Sequence, residues 1–192
     1  MATAVSYPVR FDVPYPGRLR RWMIFVKWLL AAPHYVLLRY AFGPLQLASS
    51  GIAFFWILFT ERYPRGLFDL WVGTERWSAQ VSAYVGLMRD EYPPFSWAPG
   101  AYPVTYEVEY PERLSRWLIF VKWLLLLPHY IVLLALWIAA IVAYIIAGFA
   151  ILFTEQFPHG LFDFLVGVNR WTFRVAAYFA LLRDEYPPFG LS

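Results

Sequence analysis

Lys27, His34, Asp69 and Arg76 recur as Lys122, His129, Asp163 and Arg170, and these are the side chains with chemistry to offer. Each belongs to a largely apolar stretch, where an ionisable group is costly unless it is paired. Asp163, Arg170 and Arg174 are spaced i, i+7, i+11, which on a helix places them within roughly 40° of one another. The first copy keeps Asp69 and Arg76 and has Gln80 at the third position. A stripe this narrow suits an Asp/Arg lock between helices or repeats, or a polar seam whose guanidinium groups meet an anionic headgroup. Lys27 and His34, like Lys122 and His129, are seven residues apart and share a helical face. The lysines would snorkel to headgroups or pair with Asp69 and Asp163. The two histidines would meet interfacial water or, less simply, relay protons. A metal centre needs a third ligand at suitable spacing, and His159 has only Arg65 opposite it, so no metal and no other cofactor is expected. There is no Ser-His-Asp arrangement, phosphate-cradling glycine loop or H-E-x-x-H motif, and the expectation is a protein that is not an enzyme. Asp90-Glu91 and Asp184-Glu185 are read as solvated carboxylates at a helix end.

These residues sit in a duplicated chain. Tyr7 to Tyr35 matches Tyr102 to Tyr130 at 20 of 29 positions, and Ile57 to Phe95 matches Ile151 to Phe189 at 25 of 39. The offset between copies is 95 in the first block and 94 in the second, so one residue slips in the apolar stretch between them. A repeat of this length is too long for a solenoid unit and marks a tandem duplication. The division expected is repeat one over 1–96, a linker at 97–101 and repeat two over 102–192. Each repeat opens on a proline-bounded alternating run, Tyr7 to Val13 and Tyr102 to Val108, which reads as a short strand. Next comes an apolar segment, Arg18 to Ala32 and Arg113 to Leu127, too short to cross a bilayer and read as an interfacial helix. A second helix, His129 to Thr154, is free of charge after its histidine and is the clearest transmembrane candidate. Its counterpart carries Arg39, Gly43-Pro44, Gln46 and Ser49-Ser50-Gly51; it must bend, and its polar positions should face protein. A third helix is expected over 67–88 and 161–182, stopped by Asp-Glu-Tyr-Pro-Pro-Phe.

Composition says where such elements live. Sixty per cent of the residues are hydrophobic, 21% aromatic and 15% charged, with a net charge of +3. A soluble domain needs more polar surface. Ten Trp and fourteen Tyr suit the bilayer interface. The absence of cysteine excludes disulfides and thiol chemistry. No dense basic face beyond Arg18, Arg20 and Arg21 offers itself to nucleic acid. Met1 to Tyr15 contain no apolar leader core, so insertion is expected to rely on the internal segments. If the second and third helices form a hairpin, eight arginines fall on the side of the termini and linker against Arg62 and Arg65 at the turns. That excess predicts cytoplasmic termini and repeats related by an axis along the membrane normal. A flat third helix, in a largely monotopic protein, is the rival arrangement.

The run from Pro-His through Ile-Leu-Phe-Thr and Gly-Leu-Phe-Asp-Phe-x-Val-Gly-Val-x-Arg-Trp to Asp-Glu-Tyr-Pro-Pro-Phe resembles a family of bacterial membrane proteins known only as a domain of unknown function. Both copies match; repeat one departs at Leu70-Trp71, Thr74-Glu75 and the broken second helix. The resemblance implies an integral protein of the bacterial cytoplasmic membrane and supplies no activity. The fold expected is an all-α membrane protein of two pseudo-symmetric repeats, each an interfacial helix plus a transmembrane hairpin with a short strand before it. The function expected is a non-enzymatic scaffold or accessory subunit. It would bind membrane lipids and itself or a larger membrane complex through aromatic faces and Asp/Arg seams. The alternative is a lipid- or small-solute-binding transport protein, its site at the repeat interface.

Overall fold

The computed structural model describes residues 7–192; residues 1–6, part of the stretch read above as free of a leader core, lie outside it. The described residues are mostly helical, with two short strands among them. β1 (Val9–Asp12) and β2 (Thr105–Val108) pair antiparallel, Phe11 opposite Tyr106 and Arg10 opposite Glu107. At the offset of 95, Phe11 is the equivalent of Tyr106, so the central rung pairs a position with its own copy. A local twofold therefore passes through the ribbon and relates the repeats.

In repeat one, α1 (Met23–Leu30), α2 (Ala32–Val36), a π turn (Leu37–Phe42) and α3 (Gly43–Thr60) form one long bent helical run. Repeat two has α5 (Leu118–Leu125) and α6 (Leu127–Thr154) in its place. The π turn explains the slip: repeat one carries one residue more, and a π bulge is how a helix absorbs a single insertion without breaking. The bend expected from Gly43-Pro44 is thus an expanded turn just before that pair, with Pro44 in the first turn of α3, where a missing N–H is harmless. The shorter helices α4 (Arg65–Val85) and α7 (His159–Phe179) return along α3 and α6.

Both return helices end earlier than the prolines require. Leu87 and Leu181 adopt left-handed backbone (φ 61° and 63°), and the next amides reach back, Met88 N to Ala83 O at 2.9 Å and Leu182 N to Ala177 O at 3.0 Å. This is the hydrogen-bond pattern of a Schellman ending with leucine where glycine is usual, and the leucine side chain gave no sequence signal for it.

The repeats are interlocked rather than side by side. β1 lies on α7 and β2 on α4, so each strand covers the other repeat's return helix. Phe11 and Tyr106 both pack on Phe173 with tilted rings, the centroids 4.9 and 5.1 Å away. The loop before α1 docks on the end of α6 through Leu19 N to Glu155 O at 2.8 Å. The loop before α5 docks on the end of α3 through Leu114 N to Glu61 O, also at 2.8 Å. Tyr15 and Tyr110 donate their hydroxyls to the carbonyls of Phe157 and Tyr63.

The two long runs, 38 and 37 residues, must then be antiparallel, because each begins where the other ends. At 1.5 Å per residue they are roughly 55 Å long, so the two hairpin turns lie at opposite ends of the molecule. This corrects the expected topology. Arg113 and Arg116, counted on the far side from the turns, are ion-paired to Glu61 in one of them, Arg116 Nε at 2.8 Å. The crossed arms turn one repeat over relative to the other, and the arginine count no longer separates two sides.

The long runs are apolar enough to cross a membrane, yet only 17% and 22% of their most apolar windows are buried. Leu47, Phe55, Ile138 and Ile145 are among the large hydrophobic residues left open on their outer faces. The core lies instead between α4, α7 and the ribbon, and includes Phe68, Leu165 and Phe173.

Candidate functional site: paired clasps and an unpaired groove

Each repeat builds the same clasp from its first helix and the segment after its return helix. Lys122 comes off α5 and is buried; its Nζ lies 2.8 Å from Asp184 Oδ1 and donates to the Arg183 carbonyl at 2.6 Å. The Asp184 contact is an ion pair rather than an aligned hydrogen bond, and Oδ2 of the same carboxylate takes the Ser115 amide at 2.5 Å. Lys27 repeats this with Asp90 at 2.7 Å and the Arg89 carbonyl at 2.7 Å, and Asp90 Oδ2 takes the Arg20 amide at 2.6 Å. The ammonium groups also face tyrosine rings, Tyr178 at 4.8 Å and Tyr84 at 5.2 Å. The lysines therefore bind the carboxylates read as solvated, not Asp69 and Asp163. Sequence reasoning passed over Asp90 and Asp184 because neighbouring carboxylates at a helix end usually face water. The signal was that the charged tripeptide Arg-Asp-Glu is identical in both copies.

The histidines hold the same tail. His129 is fully buried, accepts the Trp171 indole N–H at Nδ1 (2.9 Å) and stacks on Phe189 at 4.0 Å. His34 accepts from Trp77 at 3.0 Å and stacks on Phe95 at 4.0 Å. Accepting at Nδ1 puts the ring proton on Nε2, which meets no polar partner among the described residues. An imidazole whose lone pair is occupied by an indole N–H is not placed to act as a base. Tyr92 and Tyr186 complete the wrap by donating to the Leu30 and Leu125 carbonyls at 3.1 and 3.0 Å.

The arginines of the stripe are engaged across the repeats. Arg170 donates to the Phe11 carbonyl (2.9 Å), the Leu191 carbonyl (3.0 Å) and Asp12 Oδ1 (3.0 Å). Arg76 donates to the carbonyls of Tyr106 (3.0 Å) and Trp97 (2.8 Å). Arg174 reaches the Ser192 backbone oxygen at 2.7 Å and lies over the Tyr7 ring. Asp69 and Asp163 are exposed and, among the described residues, make no ion pair or hydrogen bond, so structure divides the stripe into an inward Arg half and an outward Asp half. Close packing fixes the tails further. A Cβ at Gly167 would stand 2.7 Å from Leu191 Cβ, and one at Gly73 would stand 3.1 Å from Trp97.

At the cross-repeat docking points, Glu61 and Glu155 end α3 and α6 in left-handed backbone (φ 58° and 61°). Arg21 pairs with Glu155 at 3.0 Å, as Arg116 does with Glu61. The Arg113 guanidinium hydrogen-bonded to Glu61 holds that carboxyl below the usual carboxylate range. Its contribution to stability is present at neutral pH and is lost as pH falls through the depressed value. No three His, Asp or Glu side chains among the described residues come together as a metal-binding group.

One groove of repeat one is wider than its counterpart, which Ile24, Val85, Leu87, Tyr144 and Asn169 line at about 350 Å³. Beside the π turn, Arg39, Gln46, Ser50 and Trp71 line a groove of about 600 Å³ that also meets Ile119, Lys122 and Trp123 of repeat two. Gln46 Nε2 donates to Glu75 Oε1 at 3.1 Å. Sequence reasoning treated Arg39 and Gln46 only as interruptions that ought to face protein; Arg39 is in fact exposed.

Residues 21–96 and 116–190 each match one domain family, described as Domain of unknown function (DUF4389). No curated protein and no solved structure matched the chain.

Proposed function

The chain belongs to the DUF4389 family and carries its domain twice, and from that premise we propose that it is a membrane-embedded, non-enzymatic scaffold or accessory subunit. The observation that carries this reading is the exposure of the two long helical runs, whose apolar faces turn outward while the polar interior is closed on itself. A surface of this kind would associate in water, since contiguous apolar patches of more than a few hundred Å² are not left bare. With the runs crossing the bilayer, their antiparallel directions make the repeats inverted in topology. Trp22 and Trp28 stand near Arg20 and Arg21 at one end, and Trp117 and Trp123 near Arg113 and Arg116 at the other. These are the residues that anchor helices at both interfaces. Runs of roughly 55 Å exceed the hydrocarbon thickness of about 30 Å, so they tilt or carry their ends into the headgroups. The resemblance to bacterial membrane proteins supports a bacterial cytoplasmic membrane as the setting of this scaffold.

The inward arginines tie the fold together, which leaves the exposed aromatic faces and the outward Asp69 and Asp163 for assembly with itself or a larger complex. Native mass spectrometry after mild detergent extraction tests this. A defined oligomer or a stoichiometric protein partner is expected, and Trp28→Ala with Trp123→Ala should shift it toward monomer. A wild-type chain extracted as a bare monomer would overturn the scaffold reading.

A further inference from the structure

The two repeats share their clasps almost atom for atom, so what only one of them has needs a separate explanation. Repeat one has an extra residue in its long helix, a π turn over Leu37–Phe42 that absorbs it, and an arginine within that turn. Extra residues of this kind persist in helices mainly where a side chain is being re-aimed for a purpose. Arg39 is exposed and, among the described residues, has no ion pair or hydrogen bond. Its Nη1 lies 3.7 Å from where a Cβ on Gly43 would be, so the guanidinium rests over a glycine that leaves the groove open beneath it. Trp71 lines the same groove with its ring, while its indole Nε1 is buried beneath the surface. A free guanidinium thus lies on the rim of an aromatic-walled concavity. The other cation lining it, Lys122, is already bound to Asp184. Glu75 stands behind Gln46, which donates to it and so turns its carbonyl oxygen away from the carboxylate.

The rest of the lining is apolar: Leu47, Phe54, Ile119, Trp123 and Phe179. Repeat two has apolar residues at these places, apart from a tyrosine where Ser50 stands. At the offset of 94, Trp71 becomes Leu165, Gln46 becomes Ala140 and Ser50 becomes Tyr144, and Arg39 falls at Leu133 or Leu134 on either side of the slip. An unpaired arginine midway along an apolar helix is expensive in a bilayer, and it is stabilised by an anion that brings its own apolar tail. We infer that this groove is a binding site for one anionic phospholipid, its phosphate held by Arg39 and its acyl chains lying along Leu47, Phe54 and Trp123. The guanidinium fork fits phosphate oxygens in pairs, whereas Ser50 and Gln46 donate to the Gln46 carbonyl and to Glu75 and leave Arg39 as the donor. The inference rests on the membrane reading above and assigns a ligand to a groove that shares Trp123 alone with the residues that reading names.

The test is native mass spectrometry of the delipidated protein in a non-ionic detergent, titrated with phosphatidylglycerol, phosphatidylcholine or inorganic phosphate. One phosphatidylglycerol per chain is expected, with phosphatidylcholine held more weakly. Arg39→Gln should weaken retention about tenfold, the worth of a charge-assisted hydrogen bond. Arg39→Lys should recover part of it, and Leu47→Trp should block the groove with the charge intact. Arg18→Gln removes an exposed arginine outside the groove and should change nothing. Equal retention in wild type, Arg39→Gln and Leu47→Trp would overturn the site, as would equal binding of the two lipids. Displacement by inorganic phosphate alone at equal concentration would assign the groove to a free anion instead. Flotation with phosphatidylcholine vesicles separates the two readings: a wild-type chain that does not float withdraws the membrane proposal, whereas one that floats without lipid selectivity withdraws only the site.

Discussion

Lys122→Met is expected to destabilise the fold by about 3–5 kcal/mol, the range for removing one partner of a buried ion pair. The side chain is 2% exposed, and Asp184 beside it is 25% exposed, so little water is at hand to take the ammonium's place. The substitution keeps the apolar stem and deletes only the charge. It leaves the Arg183 carbonyl without its donor at 2.6 Å and the Asp184 carboxylate without its counter-ion. The segment carrying Tyr186 and Phe189 then keeps the hydrogen bond from Tyr186 to Leu125 but loses its ionic tie to α5, and the stacking of Phe189 on His129 should loosen with it. Denaturant titration of the purified protein in mild detergent measures the loss. Asp184→Asn should be comparably damaging because it strands a buried ammonium, while Lys27→Met should reproduce the effect in repeat one. A change below about 1 kcal/mol, the scale of an exposed pair, would show that the clasp does not hold the tail.

Arg170→Met is the second large effect, expected at about 3 kcal/mol because it deletes three charge-assisted hydrogen bonds at a partly exposed site. One guanidinium joins β1 through Phe11 and Asp12 to α7 and to the end of the chain at Leu191, so its removal should release the ribbon as well as the tail. Limited proteolysis should then cut near Pro14 and Tyr15 while the helices stay protected. Arg76→Met should cost less, because Arg76 holds the Tyr106 and Trp97 carbonyls without the added ion pair to a strand carboxylate. Equal effects in the two repeats, or intact protection of the arm, would mean that the ribbon is held by its apolar packing on Phe173 alone.

The repeat, the helix content and the strand pair were legible in the sequence because identity at fixed offset and period-2 alternation are local signals. The interlocking was not. Nothing in Tyr7 to Val13 says that the strand lies on the other repeat's helix, yet that crossing alone makes the repeats antiparallel and empties the arginine count of meaning. The polar residues were found by type and paired by the wrong rule. Helical spacing joined Asp163 to Arg170, but the carbonyls of β1 and the tail recruit the arginine, and the tail's Asp184 recruits Lys122. Long-range partners of this sort carry no periodicity. Arg39 was legible only as damage to a helix, although the slip of one residue already marked the place where repeat one departs from its copy.

A membrane scaffold of this shape requires the outer faces of the two long runs to meet lipid. Collision accessibility of nitroxides placed singly at Ile52, Phe55, Ile138 and Ile145 in reconstituted vesicles reads this directly, with oxygen and a water-soluble nickel chelate as the two relaxants. Oxygen access well above nickel access is expected at all four sites, deepest toward the middle of each run, with Asp163 as the water-exposed contrast. Ready nickel access at Ile52 and Ile138, at the level found at Asp163, would put these faces in water and contradict the membrane reading.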